Sequence, residues 1–253
     1  MRTVKTKIGT PTSDTENLKM RGVDVLTDVV GNMSFAEAYY FIVTGRKPTQ
    51  QQLKVFDAAL VILMDHGLTP TALVARLVGD SLVDNPQIGV AAGIMMVGDK
   101  FAGTIGGAGA LLQEGIQAAD KRAWAEDTVA QFRAKKHRLP GFGHPYYSPT
   151  DPRAERLFEI AGNAGVKGDY IELIQILGDE LNKASGRIFT MNATAALGAI
   201  LSEIDFPVAA MRGVAVVGRA AGLVAHVMEE HQEPITPALM RFAGEIPYED
   251  PEG

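Results

Sequence analysis

The chain has 253 residues, of which 46% are hydrophobic and 21% charged, a balance typical of a globular protein rather than a disordered one. Its formal net charge of −6 argues against a nucleic-acid-binding protein with a broad basic surface, although it leaves room for a local basic pocket. Because the chain has no cysteine, disulfides, thiolate nucleophiles and cysteine-ligated zinc sites are excluded.

The sequence also bears on location. The N-terminus lacks the apolar core of a secretory signal peptide. The most apolar late stretch, residues 213–228, is interrupted by Arg219 and His226 and is expected to be too short to span a bilayer. These features predict a cytoplasmic protein without a membrane partner.

Helix signals follow one another along most of the chain. Residues 1–33 look irregular, with a short strand expected at residues 3–8. Ser34 and Glu37 then form a capping box, and Gly45 closes the first helix. Further helices are predicted from Thr49 to about Gly67, from Pro70, from Pro86 to about Gly98, from the glycine-rich segment 102–109 to Ala118, and at 123–136, 152–163, 169–184, 192–202, 207–230 and 237–243.

The segment LPGFGHPYYSPTDPR, residues 139–153, is the strongest candidate for a binding site. Gly141 and Gly143 allow backbone conformations closed to other residues, so the chain there can approach a ligand closely. The segment presents His144 and then places Arg153 at the start of a helix. An imidazole and a guanidinium in this arrangement suit an anion or a carbonyl group. A surface loop that happens to contain a histidine is the open alternative.

Two further residues stand out. His66 ends an apolar helix, where a histidine is often only a cap that the helix dipole favours. Arg219 lies inside an apolar helix, so its guanidinium must reach the surface, pair with a structural carboxylate, or bind a substrate carboxylate. His226, on the same helix, is interpreted as a core or interface histidine. No His, Asp or Glu spacing in the sequence indicates a metal site.

Five segments resemble, in order along the chain, the citrate synthase superfamily, close to its citryl-CoA lyase branch, which includes the C-terminal module of ATP-citrate lyase. They are LKMRGVDV at 18–25, MSFAEAYYFIVTGRKPTQQQL at 33–53, MDHGL at 64–68, PGFGHPYYSPTDPR at 140–153 and VVGRAAGLVAHVMEE at 216–230. The resemblance implies an all-α fold in which a large domain, 1–107 and 206–253, and a smaller one, 108–205, close over a cleft. It also implies a homodimer or higher homo-oligomer.

The resemblance further implies an enzyme that cleaves or forms the carbon–carbon bond between an acyl-CoA and oxaloacetate or a related 2-oxoacid. Coenzyme A enters as part of the thioester, and no metal is needed. By resemblance, His66 and His144 contact the oxoacid and act in catalysis, with His144 donating a hydrogen bond to its keto oxygen. Arg153 and Arg219 would bind carboxylates. The residues expected along coenzyme A are Gly106, Gly107, Pro140, Gly141, Phe142 and Gly143.

Two positions depart from the family pattern. Ile105 occupies the place of a histidine that polarises the thioester carbonyl. Thr194, in the sequence Asn192-Ala193-Thr194, occupies the place of the aspartate base, and losing a positioned acid or base typically costs ~10²–10⁴-fold in rate. With Thr194 kept as a catalytic position, three hypotheses stay open: a citryl-CoA lyase-like enzyme of reduced or altered activity, an impaired protein that binds a dicarboxylate or CoA ligand as a sensor or subunit, or a shifted acyl-CoA reaction such as hydrolysis.

Overall fold

A computed structural model of the chain describes residues 4–98 and 103–251. Its main elements are helices: α1 (Phe35–Thr44), α2 (Gln50–Met64), α3 (Pro70–Ser81), α4 (Pro86–Met95), α5 (Thr104–Gly115), α6 (Lys121–Ala134), α7 (Pro152–Ala164), α8 (Asp169–Ser185), α9 (Ala193–Glu203), α10 (Val208–Gln232) and α11 (Thr236–Gly244). The predicted all-α class is confirmed for the described residues.

The N-terminal strand is where the prediction fails. Residues 4–8 are irregular, and Thr3 lies outside the described residues. The strands instead come later, as an antiparallel pair of β1 (Lys19–Met20) and β2 (Val23–Asp24), with Gly9 forming a single bridge to Met20. The alternating apolar side chains of the expected strand find no surface to cover, since Val4 is 97% exposed. A π-helical turn, Val25–Val29, follows the strand pair.

The caps predicted at the starts of α1 and α2 are confirmed. The Ser34 side chain accepts a hydrogen bond from the Glu37 N–H at 3.1 Å, and Gly45 closes α1 with φ of 77°. At α2 the capping box is reciprocal, because Thr49 Oγ1 accepts from the Gln52 N–H and Gln52 Oε1 accepts from the Thr49 N–H. Helices α2 and α4 end before the glycines expected to close them, because those glycines belong to the turns that follow.

The chain divides into two compact units. Unit 1 comprises Met1–Leu60 and Thr104–Arg212, and unit 2 comprises Val61–Gly103 and Gly213–Gly253. The family resemblance predicts a different division, with 1–107 and 206–253 as the large domain and 108–205 as the small one. That division describes two domains that close over a cleft, and it stays a prediction.

Unit 1 is built on two apolar clusters. In the first, the rings of Tyr40, Phe56 and Phe206 pack together with centroids 5.0–5.8 Å apart, and the Tyr40 hydroxyl donates to the Ile204 carbonyl at 2.7 Å. The second lies between α5, α6, α8 and α9, and its buried members include Leu112, Val129, Leu173, Ile174, Leu177 and Ala199. Burial of these side chains supplies the main driving force for folding of the unit.

Small residues bring α5 and α9 together in unit 1. A Cβ atom built on Gly198 would lie 2.8 Å from the Ala108 Cβ and 3.0 Å from the Gly109 nitrogen. Any larger side chain at position 198 would therefore force the helices apart. This contact sets the first turns of α5 and α9 side by side, which places Thr104 next to Thr194 in the candidate site.

Unit 2 packs α3 and α4 with the C-terminal part of α10. Ala72, Ala75, Leu223 and Val227 form its fully buried cluster. Beside it, the buried Arg76 guanidinium binds the carboxylates of Glu229 and the buried Glu230. Burial alone would raise the pKa of Glu230, but hydrogen bonds from Arg76 and from backbone N–H groups of the α10–α11 turn lower it to about 2.

This ion pair predicts an acid-sensitive contribution to stability. Because the folded pKa of Glu230 lies below the ordinary 4.5, its contribution is complete above about pH 4.5 and is lost as the pH falls towards about 2. Urea unfolding of the wild type should therefore show a free energy of unfolding that declines through this window. Glu230→Gln should lower the free energy of unfolding at pH 7 by about 1–3 kcal/mol. The loss is limited because Glu229 still pairs with Arg76. The free energy of unfolding of this variant should decline less than that of the wild type below pH 4.5. Equal acid slopes in both proteins would contradict this assignment.

Helix α10 corrects the expectation about length. It has 25 residues, so it extends beyond the apolar stretch at both ends and is, by length and composition, long and apolar enough to cross a membrane. In its most apolar window 39% of the residues are buried within the structure, and the core helix of a soluble protein meets the same criteria. The argument from shortness is therefore wrong, and composition alone does not decide the location of this helix.

Candidate active site

The segment that carries His144 is held against the start of α9. Phe142 and Met191 form an antiparallel bridge, and the Gly143 N–H donates to the Thr190 carbonyl at 2.7 Å. Asn192 completes the attachment, because its N–H donates to the Gly141 carbonyl at 3.0 Å and its Nδ2 donates to the Gly143 carbonyl at 2.9 Å. The same side chain caps α9, so one asparagine fixes both the loop and the helix.

The two glycines of this loop are required by the backbone. Gly141 has φ of 87° and Gly143 has φ of 90°, a region that disfavours residues with a side chain. At Gly141 space is also lacking, since an added Cβ would lie 2.6 Å from the Ala195 Cβ. These glycines let the loop lie on α9, which explains the Pro-Gly-Phe-Gly pattern without a ligand.

Two backbone donors determine the tautomer of His144. Its Nδ1 accepts from the N–H of Tyr146 at 3.1 Å and from the N–H of Tyr147 at 3.0 Å. A neutral imidazole that accepts at Nδ1 carries its proton on Nε2. Burial, and next the positive charge of Arg153, lower the pKa of His144 below its ordinary value, while Asp151 opposes them. His144 is therefore a neutral ring that can donate from Nε2 at neutral pH.

Arg153 is oriented by a buried carboxylate. Its Nε donates to Asp151 Oδ1 at 3.0 Å and its Nη2 donates to Asp151 Oδ2 at 2.7 Å. Asp151 also accepts from the Ala193 N–H at the start of α9. Burial would raise the pKa of Asp151, but these hydrogen bonds lower it, so the carboxylate is charged. The pair holds the guanidinium side-on and leaves its Nη1–Nη2 edge directed away from Asp151.

The loop brings His144 and Arg153 together. Nη2 of Arg153 lies 3.2 Å from Nε2 of His144, although the guanidinium can only donate. An acceptor role for Nε2 would conflict with the two backbone donors at Nδ1, which place the ring proton on Nε2. Two groups that can each donate an N–H therefore lie next to each other. An alkoxide, enolate or carboxylate oxygen placed there would accept from both.

Thr194 is the second residue of α9, and its side-chain hydroxyl already makes two hydrogen bonds within the protein. It donates to Asn192 Oδ1 at 2.7 Å, so the Thr104 hydroxyl, also at 2.7 Å, must donate to Thr194. The chain of hydroxyls thus runs from α5 through Thr194 to the cap of α9. Ile105, where the family pattern has a histidine, is fully buried in the core. Neither position offers a group that accepts a proton near neutral pH.

Of the residues predicted to lie along coenzyme A, Gly107 and Pro140 contact each other. An added Cβ at Gly107 would come 3.1 Å from the Pro140 ring, so these two predicted residues pack on each other. At Gly106 the nearest atom to such a Cβ is the Val208 carbonyl oxygen at 3.8 Å, which leaves more room. Phe142 borders a half-open cavity of about 280 Å³ between α7 and α8. Its other walls include Phe158, Gln175, Asp179, Asn182 and Phe189.

His66 and Arg219 both belong to unit 2. The turn Asp65-His66-Gly67 follows α2, and Asp65 accepts from the Gly67 N–H and lies 2.9 Å from Nε2 of His226. Burial would raise the pKa of Asp65, but these hydrogen bonds lower it. Residues 219, 222 and 226 share one face of α10 by helical spacing. That face meets the end of α2, and the buried Arg219 is 8% exposed.

Gly222 is the contact point of α10 with this turn. A Cβ added there would lie 1.8 Å from the Met64 carbonyl oxygen, which the backbone could relieve only by moving. We expect Gly222→Ala to destabilise the protein by about 1–3 kcal/mol in urea unfolding. Gly162→Ala is the matched control, because nothing lies within 4 Å of an added Cβ in that helix and alanine should be neutral or slightly stabilising. A Gly222→Ala protein as stable as the control would contradict the close contact.

Sequence reasoning missed three side chains at these positions. Asp151 was seen only as a helix start, although its position two residues before Arg153 allows the paired hydrogen bonds. Tyr147 was not considered, and its ring lies against both His144 and Arg153. For His226, predicted to be a core or interface histidine, the sequence does not give its partner, Asp65. The spacing of seven residues between His226 and Arg219 was the available signal.

No metal site is found in the part of the chain that the structure describes: residues 4–98 and 103–251 contain no group of three or more histidine, aspartate or glutamate side chains placed to hold an ion.

Comparison with known proteins adds three findings. The family model described as citrate synthase, C-terminal domain, matches residues 45–242. The chain is 27% identical over 205 residues to a citrate synthase from Heyndrickxia coagulans, covering 79% of this chain and 53% of that protein. It thus spans about half the length of the curated relatives it matches.

Two solved structures are similar over nearly the whole chain. A citryl-CoA lyase from Hydrogenobacter thermophilus matches with a TM-score of 0.86 and 33% identity, covering 100% of this chain and 96% of that one. An ATP citrate lyase from Methanosaeta concilii, solved with (3S)-citryl-CoA, matches with a TM-score of 0.79, covering 99% of this chain and 42% of that one. At 18% identity the second shows the fold alone. The resemblance inferred from the five sequence segments is confirmed.

Proposed function

We propose, because the chain belongs to the citrate synthase family, that it cleaves a citryl-CoA-type thioester into an acyl-CoA and oxaloacetate or a related 2-oxoacid. The observation that carries the proposal is the close approach of His144 and Arg153, whose Nε2 and Nη2 atoms are 3.2 Å apart. The similarity to a citryl-CoA lyase at 33% identity over the full chain supports the lyase rather than the synthase direction.

The proposed chemistry centres on the tertiary oxygen of the substrate. When its hydroxyl loses a proton to solvent, the alkoxide accepts from His144 Nε2–H and from Arg153. The alkoxide electrons then form the carbonyl of the oxoacid, and the electrons of the broken carbon–carbon bond pass to the acyl-CoA enolate. The enolate takes a proton from solvent, so the atoms and charges balance.

Thr194 leaves the transfer of the enolate proton to solvent. A thioester enolate is basic enough to take a proton from water, whereas forming that enolate from an acyl-CoA needs a base. The Thr194 hydroxyl is engaged with Thr104 and Asn192, so it does not supply one. Cleavage can therefore proceed without an acid at position 194, and enolisation of an acyl-CoA should be slow.

For the remainder of the substrate, we propose that the loop at Pro140–Gly143 and the glycines Gly106 and Gly107 line the coenzyme A path. The cavity beside Phe142 supports this, because its aromatic and amide walls suit a purine ring. In unit 2, the buried Arg219 and the turn that carries His66 are proposed to bind carboxylates of the oxoacid.

The test is turnover by the purified protein. Incubation with (3S)-citryl-CoA, and with homologues bearing other acyl groups, should release a CoA thioester and a 2-oxoacid in equal amounts, quantified by mass spectrometry. The rate should exceed that of His144→Ala. Absence of turnover across the panel, in both directions, would refute the lyase.

A second function is favoured by one observation, the engaged hydroxyl of Thr194 together with the buried Ile105. These positions fit a protein that binds a dicarboxylate or CoA ligand as a sensor or subunit. Calorimetry should then show binding of oxaloacetate, citrate or CoA by a protein that performs no reaction. Turnover that His144→Ala abolishes would exclude this alternative.

We also propose a cytoplasmic homodimer or higher homo-oligomer, with no nucleic-acid or membrane partner. Half-exposed apolar side chains on α10, Val224 at 51% and Met228 at 49%, support association through unit 2. Size-exclusion chromatography with light scattering should give a mass of at least twice 27.0 kDa. A monomer at micromolar concentration would contradict it.

A further inference from the structure

We propose that Tyr147 is a positioning residue for the reaction, whose ring holds the His144 imidazole and the Arg153 guanidinium in one arrangement so that both donate to the same substrate oxygen. This inference rests on the proposed function for its kinetic part, and on geometry for the remainder. Nothing in the sequence pattern singles out Tyr147 from its neighbour Tyr146.

Tyr147 touches both members of the pair. Its ring centroid lies 4.6 Å from that of His144, with the planes tilted by 37°, a distance typical of offset aromatic contacts. The Arg153 guanidinium carbon lies 5.1 Å from the same ring centroid, within the range of a cation–π contact. One side chain therefore contacts the two donors that must converge.

The backbone of Tyr147 is fixed as well. Its N–H is one of the two donors to Nδ1 of His144, and its carbonyl accepts from the Thr190 hydroxyl at 2.9 Å. Since Thr190 also accepts from the Gly143 N–H, the residues on both sides of His144 are tied to the same short segment before α9. Hydrogen bonds thus hold the backbone of Tyr147 next to the imidazole that its ring contacts.

The ring also shields the imidazole from water. Burial is the largest cause that lowers the pKa of His144, ahead of the charge of Arg153. The charged groups that act on the imidazole include Arg153, which lowers its pKa, and Asp151, which raises it, while the start of α9 faces the loop with the uncharged Asn192. Removing the ring should rehydrate His144 and raise its pKa towards the ordinary value.

Tyr146 is an internal control of the same chemistry. Its N–H also donates to Nδ1 of His144, but its side chain is 87% exposed and its ring centroid lies 6.1 Å away. Tyr146→Ala and Tyr147→Ala each keep a backbone donor and each remove one tyrosine ring. They differ in that only the Tyr147 ring lies within 5 Å of the imidazole and also contacts the Arg153 guanidinium.

The experiment compares Tyr147→Ala, Tyr147→Leu, Tyr147→Phe and Tyr146→Ala in the full chain. In Tyr147→Ala, kcat for citryl-CoA cleavage should fall by about 10²-fold, the typical result of misplacing a reacting group by about 1 Å. The acid limb of its pH–kcat profile should move to higher pH, since protonation at Nδ1 then occurs more readily. Tyr147→Phe should restore kcat to within about threefold of wild type, and Tyr146→Ala should keep the wild-type acid limb.

A second readout does not depend on turnover. NMR titration of histidine-labelled protein, with His144 assigned through His144→Ala, should show a raised pKa in Tyr147→Ala and an unchanged one in Tyr147→Phe and Tyr146→Ala. If the wild type cleaves no citryl-CoA, the lyase proposal fails while this titration still decides the role of Tyr147. If Tyr147→Ala does not fold, Tyr147→Leu, which keeps apolar bulk without a ring face, takes its place. An unshifted His144 pKa in the ring-less variant, or a Tyr147→Phe as impaired as it, would overturn the inference.

Discussion

Replacing His144 with alanine is expected to lower kcat for citryl-CoA cleavage by about 10²–10³-fold, the usual cost of removing one donor from an oxyanion site. The expectation follows from the tautomer, since two backbone donors at Nδ1 leave Nε2–H as the group that is proposed to donate to the substrate oxygen. KM should change less, because Arg153 retains its side-on contact with Asp151 and still binds the substrate.

The matched control for this variant is His137→Ala. His137 is exposed and lies three residues beyond the end of α6. Its replacement should leave kcat and thermal stability within experimental error. A His144→Ala protein that keeps a kcat within about threefold of wild type would show that the loop does not act on the developing charge.

The second large effect is expected from Thr194→Asp. A carboxylate at this position would sit in the first turn of α9, where the helix dipole favours negative charge, and would accept a hydrogen bond from Thr104. It would supply the base that an acyl-CoA enolisation needs. Exchange of the acetyl-CoA methyl protons with deuterated water should therefore rise by about 10²–10⁴-fold over wild type.

Thr194→Asn separates the base from the change in shape. Asparagine matches aspartate in size but accepts no proton near neutral pH, so its exchange rate should stay at the wild-type level. The rate of exchange, measured by proton NMR for both variants, would distinguish the effect of a base from the effect of side-chain shape. If Thr194→Asp exchanges no faster than Thr194→Asn, position 194 does not face the acyl carbon, and the alignment of Asn192-Ala193-Thr194 with the family motif is wrong.

Much of the fold follows from local signals in the sequence. Helix α1 is determined by Ser34 and Gly45, which satisfy the backbone groups that a helix leaves unpaired at its ends. Such signals act over a few residues and can be recognised without knowing the tertiary structure. The strand predicted at residues 3–8 is wrong because the alternation of its side chains is also a local signal. Such a signal carries no information about whether another part of the protein covers the apolar face.

The candidate site was predicted less completely, because its geometry depends on contacts distant in sequence. His144 and Arg153 were recognisable as a pair, but the tautomer of His144 depends on how the loop turns back towards Nδ1. That Thr194 pairs with Thr104, ninety residues away, depends on the close packing of α5 and α9 at Gly198. The spacing of small residues along a helix indicates a face suited to close packing, but it does not show which other helix packs there.

The most direct test of the central claim, that His144 and Arg153 hold one substrate oxygen, is the carbonyl signal of bound oxaloacetate. Carbon-13 NMR of oxaloacetate labelled at its keto carbon should show a downfield shift on binding to the wild type, because two donors polarise the carbonyl. The shift should be reduced in His144→Ala at saturating ligand. Oxaloacetate that binds with an unshifted keto carbon, or with the same shift in wild type and His144→Ala, would contradict the account.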